Sequence, residues 1–306
     1  MNVGLIDLGG KLPNLALMKL SAYHKSRGDS VSIGPGGKYD KVYMSCVFSW
    51  HKHRAQALNR VYPNAIIGGS GWDLYASLPI EIEQMKPDYA LYDISYGMGY
   101  TSRGCIRKCD VCVVPRKEGT IRSIGTISDL VNPRTDFVIL LDNNFLASPD
   151  CLDRIQEIED LKLIVNFSQG LDIRLVNDEN AARLARIRFT NLHRTRSTLY
   201  FAFDHVGIEG HVREGVATLI KHGIKPWQIA FYILCGYNSS FEEDVYRVNL
   251  LRGLGVAPFV MVYNKGDRRL RHFARWVNRI LYRQCTWDDY IAWEKARLQT
   301  ELPLPV

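Results

Sequence analysis

Residues 229–263 read IAFYILCGYNSSFEEDVYRVNLLRGLGVAPFVMVY. The unbroken apolar run Ile229–Cys235 reads as a strand, 241–253 as a helix, and Pro258–Tyr263 as a second strand. Strand, helix and strand in this order form a βαβ unit, which implies a parallel sheet. The same cadence extends upstream. Further strands are read at Tyr96–Arg103, Phe137–Leu141, Leu163–Ser168 and Thr198–Asp204. Helices are read near 122–132, 150–160, 178–187, 209–222 and 269–284.

Six consecutive β–α units with right-handed crossovers curl toward a barrel, although six cannot close as eight do. Residues 96–284 are therefore read as a partial (β/α)6, TIM-barrel-like domain, with sites expected at the C-terminal strand ends. Residues 285–306 read as a helical tail, with Thr286 as N-cap and Asp288 and Asp289 in the first turn, ending in LPLPV. Residues 1–95 alternate more tightly. Strands are read at Asn2–Leu8, Val31–Ile33, Lys41–Val47 and Ala65–Ile67, and helices at Leu15–Lys25, His51–Val61 and Pro79–Met85. This is a small doubly wound, Rossmann-like α/β domain.

The chain has 306 residues, 46% hydrophobic and 23% charged, the composition of a globular protein with a real core. No run of 18 apolar residues is present, so no membrane span is expected. The N-terminus MNVGLIDLGGKLPN reads as a first strand rather than a signal peptide. Three of the seven cysteines crowd into residues 105–112, and the other four are scattered. That pattern argues for metal ligation in a reducing cytoplasm and against a disulfide framework.

The crowded segment is Thr101-Ser-Arg-Gly-Cys105-Ile-Arg-Lys-Cys109-Asp-Val-Cys112-Val-Val-Pro115. Three thiolates on one short loop suit three irons of a cubane cluster and leave the fourth iron without a protein ligand. An open iron lets a cluster bind a substrate as well as pass electrons. Arg103, Arg107 and Lys108 on the same loop are expected to lower thiolate pKa and offset cluster charge. A zinc site would want a fourth ligand, and no further cysteine or histidine lies near in sequence.

The string TSRGCIRKCDVC resembles the RGC-x3-C-x2-C loop of the radical S-adenosylmethionine (SAM) superfamily, in its cobalamin-domain and methylthiotransferase-like branches. There the loop follows the first barrel strand. The resemblance implies that Cys105, Cys109 and Cys112 hold a [4Fe–4S] cluster and that SAM chelates the open iron. Reductive cleavage would then give a 5′-deoxyadenosyl radical that abstracts a substrate hydrogen. Val111 departs from the pattern, which usually has an aromatic residue before the third cysteine.

Other segments fit the same resemblance. Asp142-Asn143-Asn144 looks like the segment that receives the SAM amino group. Gln169 and Arg174 lie after the third strand, where Arg174 suits a carboxylate bidentately. Asp204 ends the fourth strand, where ribose hydroxyls are often met, Gly236 follows the fifth, and Met261 lies on the sixth beside the adenine position. For Asp142–Asn144 the plainer reading is a strand-end turn, and for the segment of Gln169 and Arg174 it is a helix-capping loop. Cys235 and Tyr263, at strand ends expected to face the barrel mouth, are candidate catalytic residues. The plainer reading of Cys235 is buried packing.

Residues 1–95 resemble the cobalamin-binding-type domain found ahead of many such barrels, through Pro13–Tyr23, Tyr43–Cys46 and Ile67–Gly69. The D-x-H-x-x-G loop that supplies a histidine to cobalamin is absent, so cobalamin is not expected by that route. The alternative is a remnant domain used for substrate binding or packing.

Net charge is +7, concentrated in two places. Residues 183–196 carry five arginines and no acid, and residues 265–283 carry seven basic residues and one acid. Arg271, Arg275, Arg279 and Arg283 recur every four residues, one stripe on a helix. Such a face suits nucleic-acid phosphates or an acidic electron donor such as flavodoxin or ferredoxin, while its plainer reading is a solvated surface. The two patches are expected at opposite barrel ends, which disfavours a long nucleic-acid track. The leading expectation is a radical SAM enzyme acting on a small-molecule, nucleotide or peptide substrate. The competing one is a nonenzymatic zinc or Fe–S module that binds nucleic acid through its basic helix.

Overall fold

The computed structural model describes residues 1–10 and 12–300, with side chains through residue 296. The end of the expected tail, residues 301–306 with LPLPV, lies outside the described residues. The chain forms two compact units, one of Met1–Ser168 and one beginning at Gln169. Both are α/β with parallel sheets.

The first unit opens with β1 (Asn2–Asp7), α1 (Leu15–Ser26), β2 (Ser30–Ile33), β3 (Lys41–Ser45), α2 (Lys52–Val61) and β4 (Ile66–Gly68). The strands pair in parallel in the order β2-β1-β3-β4. Successive side chains of a strand point to opposite faces. Val3 and Leu5 therefore pack with Leu17 and Leu20 of α1, while Ile6 and Leu8 pack with Ala55 of α2. A helix covers each face, as a doubly wound sheet requires. The N-cap of α1 is Asn14, whose Oδ1 accepts the Leu17 N–H at 3.2 Å and whose Nδ2 donates to Ser45 Oγ at 2.7 Å. Met18 of α1 belongs to a further cluster with Met98, Phe137, Ile139 and Leu141, so α1 serves two sheets.

That second sheet begins after the short helix α3 (Ile80–Glu83). The chain continues through β5 (Gly97–Gly99), β6 (Ser102–Arg103), α4 (Val114–Lys117), β7 (Arg122–Ser123), β8 (Phe137–Leu140), α5 (Cys151–Asp160) and β9 (Ile164–Phe167). β8 lies between β5 and β9, parallel to both. Its four residues are all buried, which explains why FVIL carries no polar alternation.

Two expectations fail here. The strand at Tyr96–Arg103 is broken: β5 joins the parallel sheet, whereas β6 turns away and pairs antiparallel with β7. The helix near 122–132 does not form. β7 and a single 3-10 turn at Ser128–Leu130 take its place. Its β-branched residues and Gly125 disfavour helix, and Pro133 biases Asn132 away from it. The Asp129 carboxylate instead accepts Thr126 N–H and Oγ1–H at 2.9 and 2.7 Å.

The second unit contains α6 (Asp178–Leu184), β10 (Arg188–Phe189), β11 (Leu199–Ala202), α7 (Glu209–Lys221), β12 (Ile229–Cys235), α8 (Phe241–Gly253), β13 (Ala257–Val262), α9 (Arg268–Asn278) and α10 (Trp287–Thr300). β11, β12 and β13 form a parallel sheet in that order. α8 packs on β12 and β13, and α9 on β13. Ser240 and Glu243 form a reciprocal cap at the start of α8, and Thr286 and Asp289 do the same before α10. Arg247 of α8 is fully buried. It donates to the carbonyls of Phe203 and Leu234 at 2.6 and 3.0 Å and pairs with the buried Asp244. Its guanidinium thus satisfies carbonyls at the ends of two strands and keeps its own charge compensated.

The helix expected over 269–284 ends at Asn278. The Asn278 amide exchanges two hydrogen bonds with the Val260 backbone, at 2.8 and 2.9 Å, pinning the helix end to the edge strand β13. Ile280 then takes a left-handed φ of 65°. Arg279 and Arg283 therefore leave the stripe. The basic face that α9 does present consists of exposed Arg268, Arg271 and Arg275, opposite buried Leu270, Phe273, Trp276 and Val277.

Candidate functional site

The three cysteines lie on an excursion, residues 104–121, whose neck is the β6–β7 pair. Gly104 opens it at φ +83°, and a Cβ there would lie 2.2 Å from the Thr120 carbonyl oxygen, so only glycine lets the two sides approach. Cys105 N–H donates to the Gly119 carbonyl at 3.2 Å, and Cys112 N–H to that of Cys109 at 3.0 Å.

Two carboxylates fix this excursion. Asp142, just past the end of β8, is 3% exposed. Its carboxylate accepts from four donors at 2.6–3.2 Å: the backbone N–H and hydroxyl of Thr101 and of Ser102. Burial pushes its carboxyl above the usual carboxylate range, and those hydrogen bonds pull against the shift. Glu118 works from the far side. Its Oε1 accepts from the Arg103 guanidinium at 2.9 Å. Its Oε2 accepts the Gly104 N–H at 3.0 Å and Asn143 Nδ2 at 2.6 Å.

Arg103 also reaches Glu83 at 3.0 Å and stacks over the Tyr100 ring at 3.6 Å, while Glu83 pairs with Lys19 at 3.1 Å. Arg103, expected to act on the thiolates, thus makes ion pairs with two carboxylates, Glu83 and Glu118. Glu118 leaves a faint signal in the sequence: it and Asp110 are the two acids in a basic run from Arg103 to Arg122.

None of the seven cysteines is in a disulfide. Cys105 Sγ accepts from Arg107 N–H at 3.3 Å and Asn144 Nδ2 at 3.5 Å, and N–H donors of this kind suit a thiolate. Cys105 and Cys112 are half-buried and Cys109 is exposed. Among the described residues, no three His, Cys, Asp or Glu side chains come together as a group able to hold a metal ion. The sulfurs of one tetrahedral zinc stand about 4 Å apart, from its ~2.3 Å bonds. A cubane asks something else of its loop, that each thiolate reach its own iron. The donor set on this one loop is three thiols, with N–H donors at the Cys105 sulfur.

Asn143 and Asn144 therefore meet the cysteine excursion directly, at Glu118 and Cys105, while Asp142 holds Thr101 and Ser102 just before it. The remaining candidates lie in the second unit. Gln169 is exposed. Arg174 makes a bidentate pair with Asp172, Nε to Oδ1 at 2.6 Å and Nη2 to Oδ2 at 3.0 Å, so its fork already holds a carboxylate of the chain itself. Asp204 is exposed and accepts the Leu234 N–H at 3.1 Å. Gly236 donates its N–H to Asp244 at 3.2 Å.

Strand register separates Cys235 from the others. Cys235 shares a face with Phe231, Ile233 and Val260, all buried. Burial raises its thiol pKa far above the ordinary range. The expectation that it faces an open mouth is corrected: it packs in the core. The opposite face of this sheet carries Tyr200, Tyr232, Leu234, Phe259 and Met261. Tyr200 stacks on Tyr232 at 4.9 Å, and Phe259 meets Tyr232 edge-on at 5.7 Å. Met261 is exposed on this face, and Tyr263, also exposed, contacts Tyr237 at 4.8 Å.

No helix among the described residues is long and apolar enough to cross a membrane. No protein-family model and no curated protein matches the chain. Among solved structures, it is similar to the apo form of a cobalamin-dependent S-adenosylmethionine radical enzyme, OxsB. The TM-score is 0.40 and the identity 13%, over 85% of this chain and 49% of that one. The chain spans about half the length of that protein.

Proposed function

We propose that this chain is a radical SAM enzyme, with Cys105, Cys109 and Cys112 as the protein ligands of a [4Fe–4S] cluster. One observation carries the reading: the C-x3-C-x2-C cysteines are in no disulfide and sit on a single excursion clamped at its neck and by the carboxylates of buried Asp142 and half-buried Glu118. When bound, such a cluster supplies the electron that cleaves the SAM sulfonium. The chain's own residues have simpler tasks. Asp142 holds Thr101 and Ser102 so that the loop leaves the sheet in one direction. Asn144 donates to the Cys105 sulfur, and Arg107 adds a backbone N–H, which together hold a thiolate in place.

In this reading residues 96–284 form a partial (β/α)6 barrel after a cobalamin-type domain at 1–95, and 285–306 are a tail. Gln169, Arg174, Asp204, Gly236 and Met261 are carried over from the resemblance as SAM contacts. Arg174 would receive the SAM carboxylate only by giving up Asp172. Tyr263, exposed beside Tyr237, is kept as the catalytic candidate. The protein would work in a reducing compartment such as the cytoplasm, served by a flavodoxin or ferredoxin. The substrate class stays a small molecule, a nucleotide or a peptide, and the absent D-x-H-x-x-G loop argues against histidine-ligated cobalamin.

Anaerobic incubation of reconstituted protein with SAM and dithionite tests the proposal. Formation of 5′-deoxyadenosine that is lost in Cys109→Ala is expected. Its absence in the wild-type chain would refute turnover.

A second reading draws on α9, whose exposed Arg268, Arg271 and Arg275 suit a polyanion. A nonenzymatic nucleic-acid module would bind RNA or DNA with steep salt dependence and would make no 5′-deoxyadenosine.

A further inference from the structure

Cys105 and the side-chain donor to its sulfur, Asn144, each directly follow a residue that donates to one carboxylate, that of Glu118. Gly104, whose N–H donates to Glu118 Oε2 at 3.0 Å, immediately precedes Cys105. Asn143, whose Nδ2 donates to the same oxygen at 2.6 Å, immediately precedes Asn144, and Asn144 Nδ2 lies 3.5 Å from Cys105 Sγ. The other oxygen of Glu118 takes the Arg103 guanidinium at 2.9 Å. Arg103 is itself braced by Glu83, and Glu83 by Lys19 of α1. The Glu118 side chain is only 10% exposed, so these bonds form largely away from competing water.

We propose that Glu118 is a positioning residue that sets the backbone of the cysteine excursion and the Asn143–Asn144 strand end in one frame, and so fixes where the Cys105 thiolate points. This rests on the reading of the cysteines as cluster ligands. A carboxylate is needed because all three groups are donors. A glutamine keeps the shape but turns its own NH2 toward one of them. An aspartate is one methylene shorter and cannot span the same three groups.

The test uses the full-length protein in two states. In the metal-free state, iodoacetamide labelling of each cysteine is followed by mass spectrometry, with buried Cys235 as the internal control. Glu118→Gln should raise the Cys105 labelling rate at least about tenfold, the factor that losing a hydrogen bond to a charged group gives a local opening, while Cys235 stays protected. Asn143→Ser, which removes one of the three donors, should give a smaller rise. In the reconstituted state, Glu118→Gln should lower iron per chain and broaden the electron paramagnetic resonance signal of the reduced cluster.

Equal Cys105 labelling in wild type and Glu118→Gln, with unchanged iron content and spectrum, would overturn the proposal. Should Glu118→Gln fail to fold, Asn143→Ser decides by the same two readouts. A wild-type chain that takes up no iron would sink the cluster reading. The labelling rates would then still report whether Glu118 orders the excursion.

Discussion

Asp142 Oδ1 lies 2.6 Å from the backbone nitrogen of Ser102, forty residues earlier in the chain. This contact turns the chain out of the parallel sheet after β5 and starts the excursion that carries the three cysteines. A carboxylate does this because each of its oxygens can accept several hydrogen bonds and none of its four partners needs a donor. Asp142→Asn is isosteric but points an NH2 at those donors. It should destabilise the first unit by about 3 kcal/mol, the scale for losing buried hydrogen bonds to a charged group. Urea unfolding followed by circular dichroism measures it, and a loss under about 0.5 kcal/mol would show that the turn holds without the charge.

Gly104→Ala tests the neck. The left-handed φ and the 2.2 Å approach to the Thr120 oxygen together should cost roughly 3 kcal/mol. The damage should stay local, with faster proteolysis within 104–121 and less iron taken up. Wild-type cleavage kinetics would mean that the neck tolerates a side chain.

Tyr89 gives a pH prediction. Its hydroxyl donates to the Leu130 carbonyl at 2.7 Å and accepts the Met98 N–H at 3.2 Å. Burial pushes its pKa up to about 12 from an ordinary 10.0. A folded-state pKa above the unfolded value favours the protonated form. The stabilisation is therefore fully present below pH 10 and is lost as pH rises through about 12. That rise corresponds to roughly 2–3 kcal/mol. Urea midpoints between pH 8 and 12 should fall more steeply for wild type than for Tyr89→Phe, which should start about 1 kcal/mol lower. Parallel curves would contradict this.

Cys235 should be inert. In the native protein a thiol reagent should modify exposed Cys109 within minutes and leave Cys235 untouched until unfolding. Cys235→Ala should cost about 1–2 kcal/mol from the small cavity it leaves without changing iron uptake. Loss of iron or of SAM cleavage in that variant would return the residue to the site.

The sequence made the second half of the fold legible where local signals agree. Ile229–Cys235 is an unbroken apolar run of strand length, and Ser240 with Glu243 opens the next helix by a local cap. The same unbroken run hid which face Cys235 takes, because both faces of the strand carry apolar side chains, buried or not, and leave no alternation to read. Periodicity also extended α9 too far, since Asn278 stops it through hydrogen bonds to Val260 of a separate strand. The cysteine spacing marked the excursion, but not what holds it. The bonds of Asp142 and Glu118 join residues 14 to 41 apart, and Arg103, read as a neighbour of the thiolates, turns to Glu83 and Glu118.

The most direct test of the account is the metal content of anaerobically purified and reconstituted protein, with Mössbauer or electron paramagnetic resonance spectra to identify the centre. The account predicts a brown protein with about four irons per chain, falling toward none when Cys105, Cys109 and Cys112 are all replaced by alanine. A colourless protein carrying one zinc, or iron that survives the triple replacement, would contradict it.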